Sequence, residues 1–358
     1  MFLILSAMTA LLECGSIFLG KCLGYSPGGI LTLCLAYQFG NLFPIPFCLR
    51  KKALINGTYL AFVLLCIARF LDTRPPFQWT FYLIGIMTLS CAMQSVRSEM
   101  KAQTSTVRKR TARIVGFALA PVMMYAPCLI LSVCYLIVLF SLKHTIQASA
   151  SDSRLSAFFK AMVNNDCCKI MLWHQLHYFI YAYAMILVAY QIIGKPFLTM
   201  LLFACTWLTY LLTEPVIKYV CRCCPKLIYD AKSLSGNTTI IVIGHTFLLL
   251  ILLLLPNVSG GVFIPLWILA GFGGGTVFAI SALCSQSSTY RKEYLTFTEN
   301  IGHFAGTAVA VIWISLFPQN IRHISYLSAI CVFIVLLLSI KKYLSRKERK
   351  IENSNCRS

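Results

Sequence analysis

Long apolar runs follow one another along almost the whole chain, and they constrain its fold more than any other feature of the sequence. A run of about 18 or more mostly apolar residues is long enough to cross the hydrocarbon core of a bilayer as a helix. Only 12% of the residues are charged and 58% are hydrophobic, whereas a soluble domain devotes about a quarter of its residues to charge. We therefore predict an all-α polytopic membrane protein. Its spanning segments should lie near residues 2–22, 28–48, 53–70, 77–96, 112–142, 170–193, 196–218, 238–255, 261–284, 299–317 and 322–340.

The formal net charge of +20 is concentrated between the apolar runs. In a soluble protein such a charge would indicate a nucleic-acid partner, but the positive-inside rule of membrane proteins explains this placement without one. Arg50, Lys51 and Lys52 follow the second run, and the tail KKYLSRKERK (341–350) follows the last. If all the basic segments are cytoplasmic, the protein is an integral, multi-pass membrane protein with both termini in the cytoplasm. Its partner is then the lipid bilayer, with no nucleic acid.

The run at residues 112–142 leaves the number of helices open. Pro121 and Pro127 lie inside it, and each can break or kink a helix. Two short helices joined tightly would give twelve crossings, which the placement of the basic residues favours. One long tilted helix would give eleven, which the lengths of the segments favour.

A polar stretch at residues 143–168 separates two halves that show a weak internal similarity. The fourth apolar run and the basic loop after it resemble the 261–284 run and its loop in order and polarity. Internal repeats of this kind are a common basis for secondary transporter folds. We divide the chain into an N-terminal transmembrane bundle (1–142), a central cytoplasmic loop (143–168), a C-terminal transmembrane bundle (169–342) and a basic cytoplasmic tail (343–358).

Three local stretches carry glycine, proline or basic residues within or beside apolar runs: LAYQFGNLFPIPFCLRKKALING (35–57), GFALAP (116–121) and GFGGGTVFAI (271–280). Together with the order of helices and basic loops, they resemble the major facilitator superfamily. The first is similar to that family's second helix and the loop motif after it. The second resembles the glycine–proline motif in the fifth helix of exporters, and the third stands where the tenth helix should be. The resemblance implies 11–12 transmembrane helices in two pseudo-repeated six-helix bundles.

Glu13, midway along the first apolar run, is the polar residue with the sharpest functional implication. A charged carboxylate at that depth costs roughly 3 kcal/mol or more, so it should be neutralised, paired or hydrated. Gln38 and Asn41 share one face of the second predicted helix. These three residues are either contacts between packed helices or part of a cavity, and we interpret them as candidates for binding substrate or protons.

The stretch WHQLHYFIYAYAMI (173–186) opens the second half with polar rings inside an apolar run. His174, His177 and Tyr181 lie close to one face of the predicted helix. The resemblance makes this the seventh helix, which borders the central cavity, so all three are candidate binding residues. An aromatic belt at headgroup depth is the alternative, and it stays open above all for His174.

Three further polar residues are weaker candidates. Glu299 and His303, four residues apart at the start of the eleventh predicted helix, are either a gate or proton relay or a complement to the helix dipole. His245 stands alone in the apolar stretch IIVIGHTFLLL, where a histidine is more often a hydrogen-bonded structural residue.

We predict a secondary active transporter that moves a small polar or amphipathic solute by alternating access. We expect protons as the coupling ion and an antiporter mechanism, and GFALAP favours export. No Walker motif is present, so this chain alone does not use ATP. The alternatives are a membrane-embedded acyltransferase-like or lipid-modifying enzyme with His174 as base, and a non-transporting protein with a transporter fold. We expect a monomer that is not an enzyme and has no cofactor. We also expect no metal site, because most of the seventeen cysteines stand singly in apolar runs, where a thiol behaves as a small hydrophobe.

Overall fold

The computed structural model describes residues 1–42, 51–70, 75–99, 106–145, 155–223, 234–285 and 292–355. Within these ranges the chain is almost entirely helical and has no β-strand, which confirms the all-α prediction. Residues 43–50, which contain the end of the predicted second span and Arg50, lie outside them, as do residues 146–154 of the predicted central loop and 356–358 of the tail. The helices are α1 (Phe2–Cys22), α2 (Pro27–Leu42), α3 (Lys51–Phe70), α4 (Pro75–Glu99), α5 (Thr106–Leu119), α6 (Pro127–Thr145), α7 (Leu155–Asn164), α8 (Asp166–Ile193), α9 (Pro196–Cys223), α10 (Leu234–Leu254), α11 (Gly260–Gly274), α12 (Val277–Ser285), α13 (Lys292–Leu316) and α14 (Ile324–Asn355).

Many of these helices have the length and composition of membrane spans. In the part of the chain that the structure describes, eight segments are long and apolar enough to cross a bilayer. They are Phe2–Cys22, Gln78–Arg97, Pro127–His144, Asp166–Ile193, Pro196–Ile217, Asn237–Leu254, Gly260–Ser285 and Ile321–Lys342. The fold is that of an integral, multi-pass membrane protein, as the sequence predicts.

The long run at residues 112–142 is broken into two helices. α5 ends at Leu119, a 3-10 turn follows at Ala120–Met124, and α6 begins at Pro127. Pro121 lies in the first turn of the 3-10 segment, and Pro127 is the first residue of α6, because a proline cannot donate the backbone hydrogen bond that an uninterrupted helix needs there. This break is what twelve crossings require, and the number of crossings itself stays a prediction.

The chain divides into two compact units that are discontinuous in sequence. Unit 1 consists of Met1–Leu155, Ala182–Ala204 and His303–Ile321, and unit 2 consists of Ser156–Tyr181, Cys205–Gly302 and Arg322–Ser358. The boundaries that we predict at residues 142, 168 and 342 stay a prediction. Two observations bear on them: the predicted central loop contains α7, and α14 continues into the predicted tail as far as Asn355.

In unit 1, helix α1 packs along α5, α2 and the 3-10 turn, while α4 packs against α2, α3 and α6. The contact between α1 and α5 is close because it uses glycine. A Cβ atom built at Gly116, the first residue of GFALAP, would lie 2.0 Å from the carbonyl oxygen of Ala7 and 3.0 Å from the Cβ atom of Ala10. Small residues allow such approach of helix backbones in membrane proteins. Gly116 therefore sets the distance between α1 and α5.

In unit 2, helix α10 packs against α14, α11 and α12. The predicted span at 261–284 is divided into α11 and α12 by a turn at Gly275 and Thr276. The α9 threonines Thr209 and Thr213 donate hydrogen bonds to the carbonyl oxygens of Ile268 (2.7 Å) and Phe272 (2.6 Å) in α11. These bonds hold α9 against the part of α11 just before the turn.

We expect Gly116→Ala to destabilise the protein, because the new methyl group would overlap the backbone of α1. Overpacking of this kind costs about 1–3 kcal/mol, and a backbone atom as the neighbour places the cost at the upper end. The thermal unfolding temperature of the purified protein in detergent measures the effect. Gly57→Ala in α3 is the matched control, since nothing lies within 4 Å of its Cβ position. It should leave the unfolding temperature unchanged or raise it; equal effects of both substitutions would contradict the assignment.

Candidate functional site

Glu13 is buried in unit 1 and forms an ion pair with Arg113 of α5. One carboxylate oxygen, Oε2, lies 2.8 Å from Arg113 Nη2, and the two side chains are 9% and 28% exposed. The sequence predicts that this carboxylate is neutralised, paired or hydrated, and the structure shows it paired. The Arg113 guanidinium also lies 5.5 Å from the ring of Phe117, one turn further along α5. That ring stabilises the guanidinium by a cation–π contact.

A chain of hydrogen bonds extends from the other carboxylate oxygen of Glu13. The hydroxyl of Tyr183 in α8 donates to Glu13 Oε1 at 3.3 Å. Gln38 of α2 donates in turn from Nε2 to the hydroxyl oxygen of Tyr183. Gln38 Oε1, by contrast, is a buried acceptor with no hydrogen-bond partner in the protein. Buried acceptors are nearly always satisfied, so this oxygen is available for a donor group of a solute or of water.

A second guanidinium, that of Arg97 in the last turn of α4, reaches the same cluster. Its Nη1 lies 3.4 Å from Thr9 Oγ1, one turn before Glu13 on α1, and its Nε is buried without a hydrogen-bond partner. Arg97, Arg113 and Glu13 together carry two positive charges and one negative charge. Among the described residues the ion pair of Glu13 is made with Arg113 alone. The cluster therefore has an excess positive charge, with Glu13 buried and the two arginines half-buried.

Asn41 lies at the edge of this cluster. It is 8% exposed and hydrogen-bonds with Tyr37, whose hydroxyl donates to the Thr9 carbonyl oxygen at 3.1 Å. We call Glu13, Arg97, Arg113, Gln38 and Tyr183, with Asn41 and Tyr37 beside them, the polar cluster of unit 1. The structure thus brings together the three candidates that the sequence gives in the first two helices.

His174 and His177 belong to unit 2, where they meet His245 of α10. His174 Nδ1 lies 3.0 Å from His245 Nε2, and the His174 and His177 ring centroids are 4.8 Å apart. All three side chains are at most 2% exposed. His174 therefore lies inside the helix packing and not on the surface of unit 2. The sequence interpretation of His245 as a lone hydrogen-bonded residue misses its two neighbours.

Tyr181, one turn after His177 on α8, stacks on that histidine with 6.4 Å between ring centroids and is 3% exposed. Glu299 and His303 lie half-buried in α13, and they are divided between the two units: Glu299 is part of unit 2 and His303 part of unit 1. His303 lies close enough to Arg113 for a Coulombic interaction. A proton relay or gate formed by Glu299 and His303 stays a prediction.

Sequence reasoning misses three members of the polar cluster: Arg97, Arg113 and Tyr183. From the sequence alone, Arg97 and Arg113 are assigned to a basic loop, because they flank the apolar runs. In the structure Arg97 is the basic residue in the last turn of α4, and Arg113 lies inside α5. One signal in the sequence points to them: a buried carboxylate needs a cation, and Arg97 directly follows the fourth apolar run while Arg113 stands at the start of the fifth.

We expect Arg113→Met to destabilise the protein more than Glu13→Gln combined with Arg113→Met. Removal of one partner leaves a buried charge uncompensated, at a cost of about 3–5 kcal/mol, whereas removal of both charges is often close to neutral. Because Arg113 is 28% exposed, the lower end of that range applies. Thermal unfolding in detergent measures the order. Arg108→Met, at an exposed position of the same helix, should stay within about 0.5 kcal/mol of the parent. A double variant no more stable than Arg113→Met would show that the ion pair does not exist.

Comparison with known proteins gives a structural likeness only. No protein-family model matches the chain, and no curated protein matches it in sequence. Among solved structures, the fucose:proton symporter of E. coli is similar over 94% of this chain and 97% of its own, with a TM-score of 0.54 and 10% identity. The nucleoside transporter NupG is similar over 95% of this chain and 98% of its own, with a TM-score of 0.62 and 11% identity.

A bacterial homologue of the iron transporter ferroportin, in its outward-facing state, is similar over 95% of this chain and 98% of its own, with a TM-score of 0.59 and 12% identity. Each of these three proteins is described as a transporter or a transporter homologue. The likeness covers nearly the whole chain and confirms the fold that the sequence resemblance implies. The chain has a major-facilitator-like fold.

Proposed function

We propose that the protein is a secondary active transporter for a small polar solute that carries a negative charge, with protons as the coupling ion. The observation that supports this most directly is the excess positive charge of the polar cluster in unit 1. A charged group in a membrane-spanning segment is costly, and such groups usually mark a solute or ion pathway. Two guanidinium groups next to one carboxylate leave a position for a second anion.

Arg97 is the residue that we assign to the solute. A guanidinium binds carboxylate and phosphate groups through paired N–H donors, which gives it both charge and directional recognition. The contact between Arg97 Nη1 and the neutral hydroxyl of Thr9, at 3.4 Å, satisfies only a small part of that capacity. The unsatisfied acceptor Gln38 Oε1 would take a hydroxyl or amino donor of the same solute.

Glu13 is the residue that we assign to the proton. An incoming anion competes with Glu13 for Arg113, and a Glu13 carboxylate that loses its cation in this buried place is unfavourable as an ion. Uptake of a proton by Glu13 removes that cost, so solute and proton bind together. The Tyr183 hydroxyl at Glu13 Oε1 and the Gln38 amide behind it hold the carboxyl group in place in both states.

Alternating access is the mode of transport that we assign to this fold, on the basis of its likeness to transporters. The similar structures include a symporter, so they favour neither the export direction that GFALAP suggests nor an antiporter mechanism. Direction therefore rests on that motif alone. We retain both termini in the cytoplasm and a monomeric protein as part of the proposal, on the basis of the basic loops. His174, His177 and Tyr181 as solute contacts stay predictions.

A structural role for the ion pair, as a tie between α1 and α5, is the competing explanation. It accounts for Glu13 and Arg113, but it gives no role to Arg97 or to the free acceptor on Gln38. The two explanations differ in what Glu13→Gln does. A structural tie affects stability, whereas a coupling carboxylate affects the movement of protons.

We expect an anionic solute to drive protons across liposomes that contain the protein, and Glu13→Gln to abolish that movement. The probe is a pH-sensitive dye trapped inside the vesicles. The added solutes are small dicarboxylates, each paired with its neutral diamide: succinate with succinamide, and glutarate with glutaramide. An acid that fits should move protons and its amide should not. Glu13→Gln should still bind the acid, measured by a rise in unfolding temperature, and Arg97→Gln should not.

Arg108→Gln is the matched control, because it removes an exposed guanidinium from α5 outside the polar cluster. It should leave both proton movement and binding unchanged, and vesicles without protein correct for passive entry of the acids. Proton movement by Glu13→Gln equal to that of the parent would refute the assignment of Glu13. A preference for the amides over the acids would refute the anionic class of solute.

A further inference from the structure

The three buried histidines of unit 2 converge in a way that the polar cluster of unit 1 does not explain. One ring nitrogen each from His174, His177 and His245 lies within 4.8 Å of those of the other two. Among the described residues this is the group of histidine, cysteine and acidic side chains with the geometry to hold a metal ion. From this convergence we infer that the histidine triad (His174, His177 and His245) is a binding site for a first-row transition-metal ion of the Zn²⁺ class. The inference does not depend on the proposed transport of anions.

The hydrogen bonds around two of the rings present a lone pair to the centre of the triad. His245 Nδ1 lies 2.8 Å from the Ile241 carbonyl oxygen and therefore carries the ring proton, which leaves the Nε2 lone pair available. His177 Nδ1 faces the Trp173 carbonyl oxygen at 3.4 Å in the same arrangement. Metal-binding histidines generally donate their second ring N–H to a carbonyl or carboxylate in this way, which fixes both tautomer and orientation.

His177 Nε2 is the atom that most strongly indicates a bound ion. It is fully buried and has no hydrogen-bond partner in the protein. A purely structural cluster of three histidines would be expected to satisfy each ring nitrogen. Here the close contact between ring nitrogens is the one from His174 to His245, at 3.0 Å, and the nitrogen of His177 is left over. An ion bound by all three rings satisfies it.

The distances fit an ion after small rotations of the rings. Two nitrogens bound to a tetrahedral Zn²⁺ at about 2.0–2.1 Å lie about 3.4 Å apart, slightly more than the distance from His174 Nδ1 to His245 Nε2. Binding replaces the hydrogen bond between those two rings: the neutral His174 ring changes tautomer, so that Nδ1 offers its lone pair and Nε2 carries the proton. His177 then turns toward His174 and His245. Its ring is free to turn because its contact on the other side, from Nδ1 to the Trp173 carbonyl oxygen, is long at 3.4 Å.

The chemistry of the ligands selects the class of ion. Imidazole nitrogen suits Zn²⁺, Co²⁺, Ni²⁺ and copper, whereas Mg²⁺ and Ca²⁺ require oxygen ligands. Three protein nitrogens leave a fourth tetrahedral position for water or for a group of a solute. The three rings are neutral and supply no negative charge to the buried ion, so we expect reversible binding rather than a permanently bound structural ion.

A contact of His245 links the triad to the turn between α11 and α12. The hydroxyl of Thr276, in that turn, lies 3.3 Å from His245 Nδ1 and donates to the Gly273 carbonyl oxygen at 2.8 Å. On the other side, Ser328 of α14 donates to the backbone oxygen of His177 at 2.8 Å. An ion that joins α8 to α10 would therefore stabilise the packing of unit 2.

The test uses the full-length protein in detergent, with any purification tag of histidines removed and after treatment with a chelator. In a titration in competition with a fluorescent zinc chelator, one Zn²⁺ ion should bind reversibly per chain. Co²⁺ should give the intense visible absorption of a tetrahedral ion without the near-ultraviolet bands of thiolate ligands. His177→Gln and His245→Gln should each weaken binding at least tenfold and remove the rise in unfolding temperature that Zn²⁺ produces.

His144→Gln is the matched control, because His144 is exposed at the end of α6 and outside the triad. It should leave the affinity and the cobalt spectrum unchanged. Thiolate bands, a pale octahedral cobalt spectrum, or unchanged affinity in His177→Gln and His245→Gln would each overturn the assignment. The cobalt spectrum of the parent protein decides the question even if a histidine variant fails to fold. None of these measurements depends on whether an anion is transported.

Discussion

The need to satisfy every polar group inside an apolar protein governs this structure. Hydroxyl groups on the helices mostly meet it locally: Thr9 donates to the Leu5 carbonyl oxygen at 2.6 Å and Ser16 to that of Leu12 at 2.8 Å, each one turn back on α1. Such bonds let a spanning helix carry polar residues at little cost in hydrocarbon. Gln38 Oε1, Arg97 Nε and His177 Nε2 are among the buried side-chain atoms of the described residues that have no hydrogen-bond partner, and all three belong to the proposed sites.

Close helix packing is what brings the charged groups of unit 1 together. Gly116 allows α5 to approach Ala7 and Ala10 of α1. Glu13 follows Ala10 by three residues, and Arg113 precedes Gly116 by three, so the same contact line continues to the ion pair. The glycine of GFALAP therefore has a direct physical link to the polar cluster. Gly116 thus allows α1 and α5 to pack closely and lies three residues from Arg113 of the ion pair.

The two units hold polar groups of different chemistry. Unit 1 has fixed charges, with Glu13 between Arg113 and a tyrosine hydroxyl and with Arg97 beside them. Unit 2 has three neutral rings and, in the triad, no charged side chain. Fixed positive charge suits recognition of an anion, and neutral imidazole suits coordination of a metal ion. The proposed binding of an anion and the inferred binding of a metal thus rest on separate residues and can be tested separately.

Sequence alone determined the helical class and most of the spanning segments, because hydropathy and helix length are local properties. It located a possible break at Pro121 and Pro127 but left one long tilted helix as the alternative, and the structure shows the break. It also indicated that Glu13 is neutralised, paired or hydrated. Only the tertiary structure decided which one: Arg113 lies 100 residues from Glu13, Tyr183 lies 145 from Gln38, and His245 lies 71 from His174. A residue's position along the chain fixes the face of its own helix on which it lies, but not the helix that packs against that face. The partners of polar groups are therefore a property of helix packing, which no local pattern in the sequence contains.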